Sequence, residues 1–155
     1  MNANTAPKLM RRKLMSAKVI VLDEQGKILL LEEPRKSYLA LPGGTGQMHE
    51  SPRQTAIREV KEETGLDVIL QALLCVDYED DGGIEHLNFT FQARKADPSQ
   101  EVCFPDGEAS GHRYVEFEEA KPLVNPRSAE RFIQCMDAIK TGIPLYLENG
   151  TKAFA

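Results

Sequence analysis

Glu59, Glu62 and Glu63 stand at positions i, i+3 and i+4 of the run Arg58-Glu59-Val60-Lys61-Glu62-Glu63-Thr64-Gly65-Leu66. If that run is helical, at about 100° per residue, the three side chains share one face. Like charges so placed repel by about a few tenths of a kcal/mol per pair, a cost that a divalent cation would reverse. Three carboxylates on one face therefore make either a cation site or a wetted acidic surface, and the neighbouring residues have to decide between the two.

The elements that must position these acids are legible around them. Ser51, Pro52 and Gln54 combine an N-cap serine, proline at the first helical position and the glutamine of a capping box, and Gly65 is the matching stop. Within the helix so bounded, Ala56, Ile57, Val60 and Thr64 form a packing stripe about 100° around from the carboxylates. Upstream, AKVIVL (17–22), the turn DEQGK and the apolar run from Ile28 predict a hairpin whose strands are too continuously apolar to face water on either side. The loop EPRKSY then leads to LALPGG, where Pro42, Gly43 and Gly44 end regular structure and let backbone approach a ligand closely.

Downstream, a strand from Asp67 with a bulge, the turn EDDGG and an alternating strand from Ile84 form a second pair. The polar stretch DPSQEVCFPDGEASG predicts a long loop of the functional kind, RYVEF a short strand, and SAERFIQCMDAIKTG a helix stopped by Gly142 with Ala129, Phe132, Ile133, Met136 and Ile139 as its apolar face. Strands interspersed with two helices predict an α/β fold with a mixed sheet.

With 155 residues, 41% hydrophobic and 28% charged, the chain is expected to form a single globular domain over residues 1–155, with residues 1–10 as a disordered tail. The net charge of −5 and the lack of a long basic stripe argue against a nucleic-acid polymer as partner and suit a small anion that arrives with its own cation. Three cysteines, Cys75, Cys103 and Cys135, odd in number and without a CxxC pattern, suggest neither a disulfide framework nor a zinc knuckle and fit a reducing cytoplasm. Lys18 and the pair Asp23-Glu24 interrupt the first apolar stretch, so neither a signal-peptide core nor a membrane span is expected there.

The full pattern around the acids reads Gly44-x5-Glu50-x7-Arg58-Glu59-Val60-Lys61-Glu62-Glu63-Thr64-Gly65-Leu66. A chance match at these specified positions falls below about one in a billion per starting point. The pattern resembles the Nudix box, and the chain is similar to the Nudix hydrolase family, including its MutT-like members. The flanking hairpin, the LPGG entry and the downstream strand and helix fall where such a fold would place them. The resemblance implies an α/β/α sandwich with a mixed β-sheet, and an enzyme that cleaves a nucleoside diphosphate linked to another moiety.

By the same resemblance Glu59, Glu62 and Glu63 would hold Mg²⁺ or Mn²⁺, with the carbonyl of Gly43 joining them. Glu62 and Glu63 would carry the essential ion, and Glu59 a further ion or the attacking water. Arg58 would orient a carboxylate, against the alternative of a plain surface arginine. Glu50 would fasten the loop to the helix start. A further acid from the later loop would act as ligand or general base, with Glu108 the candidate and Asp106 its rival. His49 reads as a loop residue, having no histidine partner at ligand spacing.

Residues outside the box set the substrate in this family, and few are informative here. Where some ADP-ribose hydrolases carry a proline, Asp80 and its neighbours have none. Where dinucleoside polyphosphate hydrolases often carry a tyrosine, residues 81–84 read DGGI. Arg35, Lys36 and Tyr38 would meet phosphate or stack on a base, or form a solvated loop, and the tryptophan that many relatives carry ahead of LPGG is replaced by Tyr38-Leu39-Ala40. Asn88 would read a base edge or serve as an ordinary strand residue. The expected activity is Mg²⁺-dependent hydrolysis of a nucleoside triphosphate or related nucleotide. The alternatives are a prenyl or sugar diphosphate, favoured if Phe89 and Phe91 line the pocket, and a non-catalytic nucleotide sensor. The ending PLYLENGTKAFA has no assignment and would cover a pocket or contact a second subunit, homodimers being common in the family.

Overall fold

A computed structural model of the protein describes residues 12–154, so the tail expected over residues 1–10 lies outside the described residues. β1 (Leu14–Leu22) and β2 (Ile28–Glu32) are antiparallel and form the hairpin expected from their sequences. Side chains alternate across the sheet, so Ala17, Val19 and Val21 enter one core while Ile20 enters another on the opposite face. β2 divides in the same way, with Leu29 and Leu31 on the first side and Ile28 and Leu30 on the second. Both strands are thus covered on both faces, and each fully buried Leu or Ile contributes roughly 1.5–3 kcal/mol of burial.

The edges of β1 are arranged to support a site. One edge runs parallel to β6 (His86–Lys95) from Leu14 to Leu22. On the other edge β2 holds the Leu22 end, while β4 (Gly43–Thr45) pairs antiparallel with Ser16–Lys18 and sets Lys18 opposite Gly43. β3 (Leu39–Ala40) pairs with β2, so LALPGG contains two short strands flanking Leu41 and Pro42. β5 (Val68–Glu79) lies antiparallel to β6, with irregularities at Leu70/Ala72 and Leu73/Cys75 where a bulge was expected. β7 (Gly111–Val115) joins β2.

α1 (Pro52–Thr64) has both halves of its capping box, Ser51 Oγ accepting from Gln54 N and Gln54 Oε1 accepting from Ser51 N, and it ends at Gly65 with φ 70°. Its buried residues are Thr55, Ala56, Val60 and Thr64, whereas Ile57 is 39% exposed. The packing stripe expected from sequence is corrected accordingly. Thr55 is buried without an unsatisfied hydroxyl because it donates to Glu50 Oε2 at 2.8 Å. Ala56 and Val60 join the Val19 side of the sheet.

The opposite face carries α2 (Phe117–Ala120) and α3 (Ala129–Thr141). The strand expected over RYVEF therefore ends at Val115, and Glu116 caps α2. On α3 the fully buried residues are Phe132, Cys135 and Ala138, with Ala129, Met136 and Ile139 packed at the margin and Ile133 outside the cluster. Cys75 and Cys135, distant in sequence, are free buried thiols whose sulfurs lie 3.2 Å apart.

The unassigned ending is part of the sheet. β8 (Leu145–Glu148) runs parallel to β5, and β9 (Thr151–Lys152) folds back on β8. Leu147 is fully buried. Asp77, 1% exposed, accepts from Gly150 N at 3.0 Å and from Arg131 at 2.8 Å, joining β5, the β8–β9 turn and α3. Among the described residues no helix is long and apolar enough to cross a membrane.

Candidate active site

The second half of α1 brings Glu59 and Glu63 against β4, with Glu62 half exposed beside Arg58. A Cβ on Gly44 would lie 2.7 Å from Glu59 Oε1, and one on Gly43, at φ 137°, would lie 2.1 Å from the carbonyl oxygen of Ala17. Both glycines are thus required by close approach, Gly43 to β1 and Gly44 to the helix.

Arg58 organises one half of the site. Its Nε and Nη2 grip Glu50 Oε1 and Oε2 at 2.7 and 2.9 Å, while Nη1 reaches Glu59 at 2.8 Å and Glu62 at 2.9 Å. Nη2 also donates to the Thr45 carbonyl at 3.2 Å, which ties the helix to β4. The guanidinium, and then the Gln47 backbone N–H, hold the Glu50 carboxyl down at about 2. Glu50 is thereby occupied by Arg58, Gln47 and Thr55, a fastening of loop to helix.

Glu63 and Gly43 form the other half. The Gly43 N–H donates to Glu63 Oε2 at 2.8 Å. Burial raises the Glu63 carboxyl to about 7, against the lowering effects of that N–H and of Lys18, and with further raising by the charges of Glu59 and Asp106. Lys18 Nζ donates to the Gly43 carbonyl at 2.7 Å and, more weakly, to the Leu41 carbonyl at 3.5 Å. Burial lowers the Lys18 pKa, the charge of Glu63 opposing.

Glu59 and Glu62 therefore meet at Arg58 while Glu63 and Gly43 face each other, and among the described residues no three acids, histidines or cysteines are gathered into a ready cation cage. The donor chemistry still fits the expected ion. All four groups offer oxygen, the preference of Mg²⁺ and Mn²⁺, although Arg58 shares the oxygens of Glu59 and Glu62 and Lys18 that of Gly43.

Of the two later acids, Asp106 is the nearer to the box. Its N–H donates to the Glu62 carbonyl at 3.2 Å and its charge acts on Glu63. Glu108 is exposed, and its N–H donates to Asp106 Oδ1. Cys103 N also donates to the Thr64 carbonyl, so this loop satisfies two carbonyls at the end of α1. His49 stands in the left-handed region at φ 64° in an exposed turn.

A cavity of about 330 Å³ opens between the sheet and α3, bounded by Lys18, Tyr38, Glu79, Val124, Arg131 and Phe132. Lys36 also lines it, whereas Arg35 is exposed and outside it. Asn88 is 7% exposed and does not line the cavity. It accepts from Ser16 Oγ at 2.5 Å and donates to Glu79 Oε2 at 2.9 Å, so what it positions is Glu79. Phe89 and Phe91 pack on the α1 side of the sheet, which removes the apolar lining expected of them. Sequence reasoning missed Lys18, Glu79 and Arg131. The signal for Lys18 was a charge inside an otherwise apolar strand. Glu79 and Arg131 gave no comparable signal, since surface strands and helices carry many such residues.

A mixed sheet between helices, with an acid-bearing loop and helix against one strand edge, defines the architecture. Residues 12–135 match the NUDIX domain family, and the chain belongs to that family. It is 45% identical over 49 residues to an uncharacterized Nudix hydrolase, YvcI, of Bacillus subtilis (strain 168), a match spanning 32% of this chain and 31% of the relative. It is 32% identical over 68 residues to the 8-oxo-dGTP diphosphatase of Proteus vulgaris, spanning 41% of this chain and 61% of that one. Both matches thus cover less than two thirds of the relatives' lengths. The crystal structure of the MutT protein from Methanosarcina mazei Go1 superposes with a TM-score of 0.70 at 20% identity, covering 85% of this chain and 99% of that one, a likeness of fold.

Proposed function

We propose that the protein is a divalent-metal-dependent pyrophosphohydrolase that cleaves a phosphoric anhydride in a nucleoside triphosphate or related small nucleotide, the nucleoside entering the cavity beside α3. The observation that carries this reading is the adjacency of two chemistries through one residue: Lys18 lines the cavity and also donates to Gly43 at the acidic helix. The acids lie on one side of it, and an open cavity walled by Tyr38, Phe132, Glu79 and Arg131 on the other.

Glu59, Glu62, Glu63 and the Gly43 carbonyl are the oxygens that would hold Mg²⁺ or Mn²⁺. Such an ion, when bound, supplies neutralisation of phosphoryl charge and a more acidic water. Arg58 fixes Glu59 and Glu62 by charge-assisted hydrogen bonds, so their carboxylates keep one orientation. Glu59 is the candidate to take a proton from the attacking water, with Asp106 or Glu108 the later-loop alternatives. Tyr38 offers a ring face, Glu79 an acceptor and Arg131 a donor to the organic part of the substrate, and Lys36 lines the same cavity. The net charge of −5 suits a small substrate rather than a nucleic-acid polymer.

The test is phosphate release, with a pyrophosphatase added, from nucleoside triphosphates (oxidised ones included), dinucleoside polyphosphates, nucleotide sugars and prenyl diphosphates, with Mg²⁺ or with chelator. Metal-dependent preference for a nucleoside triphosphate is the expected outcome. Preference for a prenyl diphosphate would replace the substrate class, and binding without turnover of any compound would leave a sensor.

A further inference from the structure

Lys18 has an unusual position for a lysine. It lies in the middle of a strand whose neighbours Ala17 and Val19 are fully buried, and it points to the α3 side of the sheet, like Ile20. Placing an ammonium there is costly unless it is paired. Its hydrogen-bond partners are two neutral carbonyls, Gly43 at 2.7 Å and Leu41 at 3.5 Å, and its third N–H has no acceptor among the described residues. Glu63 is the opposing charge that acts on it most strongly, with Glu33 and Glu59 acting in the same sense, and Glu63 Oε2 is itself engaged by the Gly43 N–H. One donor of the ammonium thus remains unused at this point of the cavity wall.

The acids on α1 pose the complementary problem. A phosphate chain approaching Glu59, Glu62, Glu63 and Asp106 is repelled, and an organic group seated in the cavity has to send its phosphates past the Lys18 end of the wall to reach them. The ammonium stands at that passage. We propose that Lys18 is a direct ligand of the substrate's phosphate chain, its free N–H and its charge meeting a non-bridging phosphate oxygen where the chain leaves the cavity for the box helix. This extends the function proposed above, since it presumes that a diphosphate unit spans the two regions. The competing role is a tether, in which Lys18 merely holds the Gly43 carbonyl in place.

Two probes separate these roles: methylenediphosphonate and an α,β-methylene nucleoside triphosphate, titrated calorimetrically against the full chain with Mg²⁺ present. Binding of Mn²⁺ alone is followed by electron paramagnetic resonance. Lys18→Met keeps the length of the side chain and suits an apolar strand, while Lys18→Arg keeps the charge. The expected result is that Lys18→Met weakens both probes at least about tenfold, Lys18→Arg restores most of that loss, and Mn²⁺ affinity does not fall in either variant. Unchanged probe binding with weakened Mn²⁺ binding would overturn the proposal in favour of the tether. If the wild-type protein binds the diphosphonate in a Lys18-dependent way but no nucleotide, the Lys18 assignment stands and the nucleotide reading fails. If it binds neither probe, both fail. Should Lys18→Met not fold, Lys18→Gln, judged by the same comparison with Lys18→Arg, decides.

Discussion

The Gly43 amide donates to Glu63 Oε2 at 2.8 Å, which ties the strand entering the Nudix box to the last turn of its helix. Burial sets the protonation of Glu63, raising its carboxyl against the lowering effect of this bond. In the metal-free protein the carboxyl keeps its proton to about pH 7, against an ordinary value of 4.5. Between those values the folded chain holds more protons than the unfolded one, so stability is fully present below 4.5 and declines as pH rises through 7. The effect is at most about 3 kcal/mol. Thermal melts in chelator at pH 5 and pH 8 should show this decline in the wild type and its loss in Glu63→Gln. Stabilisation by Mg²⁺ should grow over the same range, because the ion needs the ionised form.

Arg58→Lys should cost about 1–3 kcal/mol of stability, since one ammonium cannot replace a fork that engages Glu50 through two nitrogens and Glu59 and Glu62 through a third. The Glu50 carboxylate held near 2 makes the opposite pH contribution to Glu63: its stabilisation is present above 4.5 and lost as pH falls toward 2. Urea titrations of wild type and Glu50→Gln at pH 3 and pH 6 check the sign. The two proteins should differ more at pH 6.

Glu62→Gln should leave the fold intact, its side chain being 49% exposed, while reducing turnover by about 10²–10³-fold. Steady-state rates at limiting Mg²⁺, with circular dichroism alongside, make the comparison. Near-normal turnover would take Glu62 out of the site.

Gly43→Ala should be strongly destabilising, by about 2–4 kcal/mol, because its Cβ would meet the Ala17 carbonyl on β1 and φ 137° disfavours any side chain. Gly107→Ala is the control: φ there is 72°, but nothing lies within 4 Å of the added carbon. Its cost should stay near about 1 kcal/mol. Equal midpoints for the two variants in denaturant would contradict the close approach.

Deletion of residues 145–155 should unfold or severely destabilise the chain. It removes β8 with the buried Leu147 and leaves Asp77 without the Gly150 N–H. A folded truncation with an unchanged melting temperature would show the strand to be dispensable.

The family and the elements around the box, though not the short strands of LALPGG, α2 or the final β8 and β9, were legible in the sequence alone. The caps at Ser51 and Gly65, the apolar runs of β1 and β2 and the spacing of the box acids are short-range signals, written in adjacent residues by backbone propensity and hydrophobic period. The sequence also singled out Lys36 and Tyr38, which do reach the cavity. Tertiary structure decided what depends on pairing across long separations. Lys18 meets Gly43 because β1 and β4 are registered, Asn88 serves Glu79 across neighbouring strands, and the final residues become a strand because β5 leaves an edge open to them. Ile57 and Thr55 exchange burial for a related reason: the Thr55 hydroxyl finds Glu50, a partner the helical period alone does not reveal. A side chain's type limits what it can do, but its partners follow from the packing of elements distant in sequence.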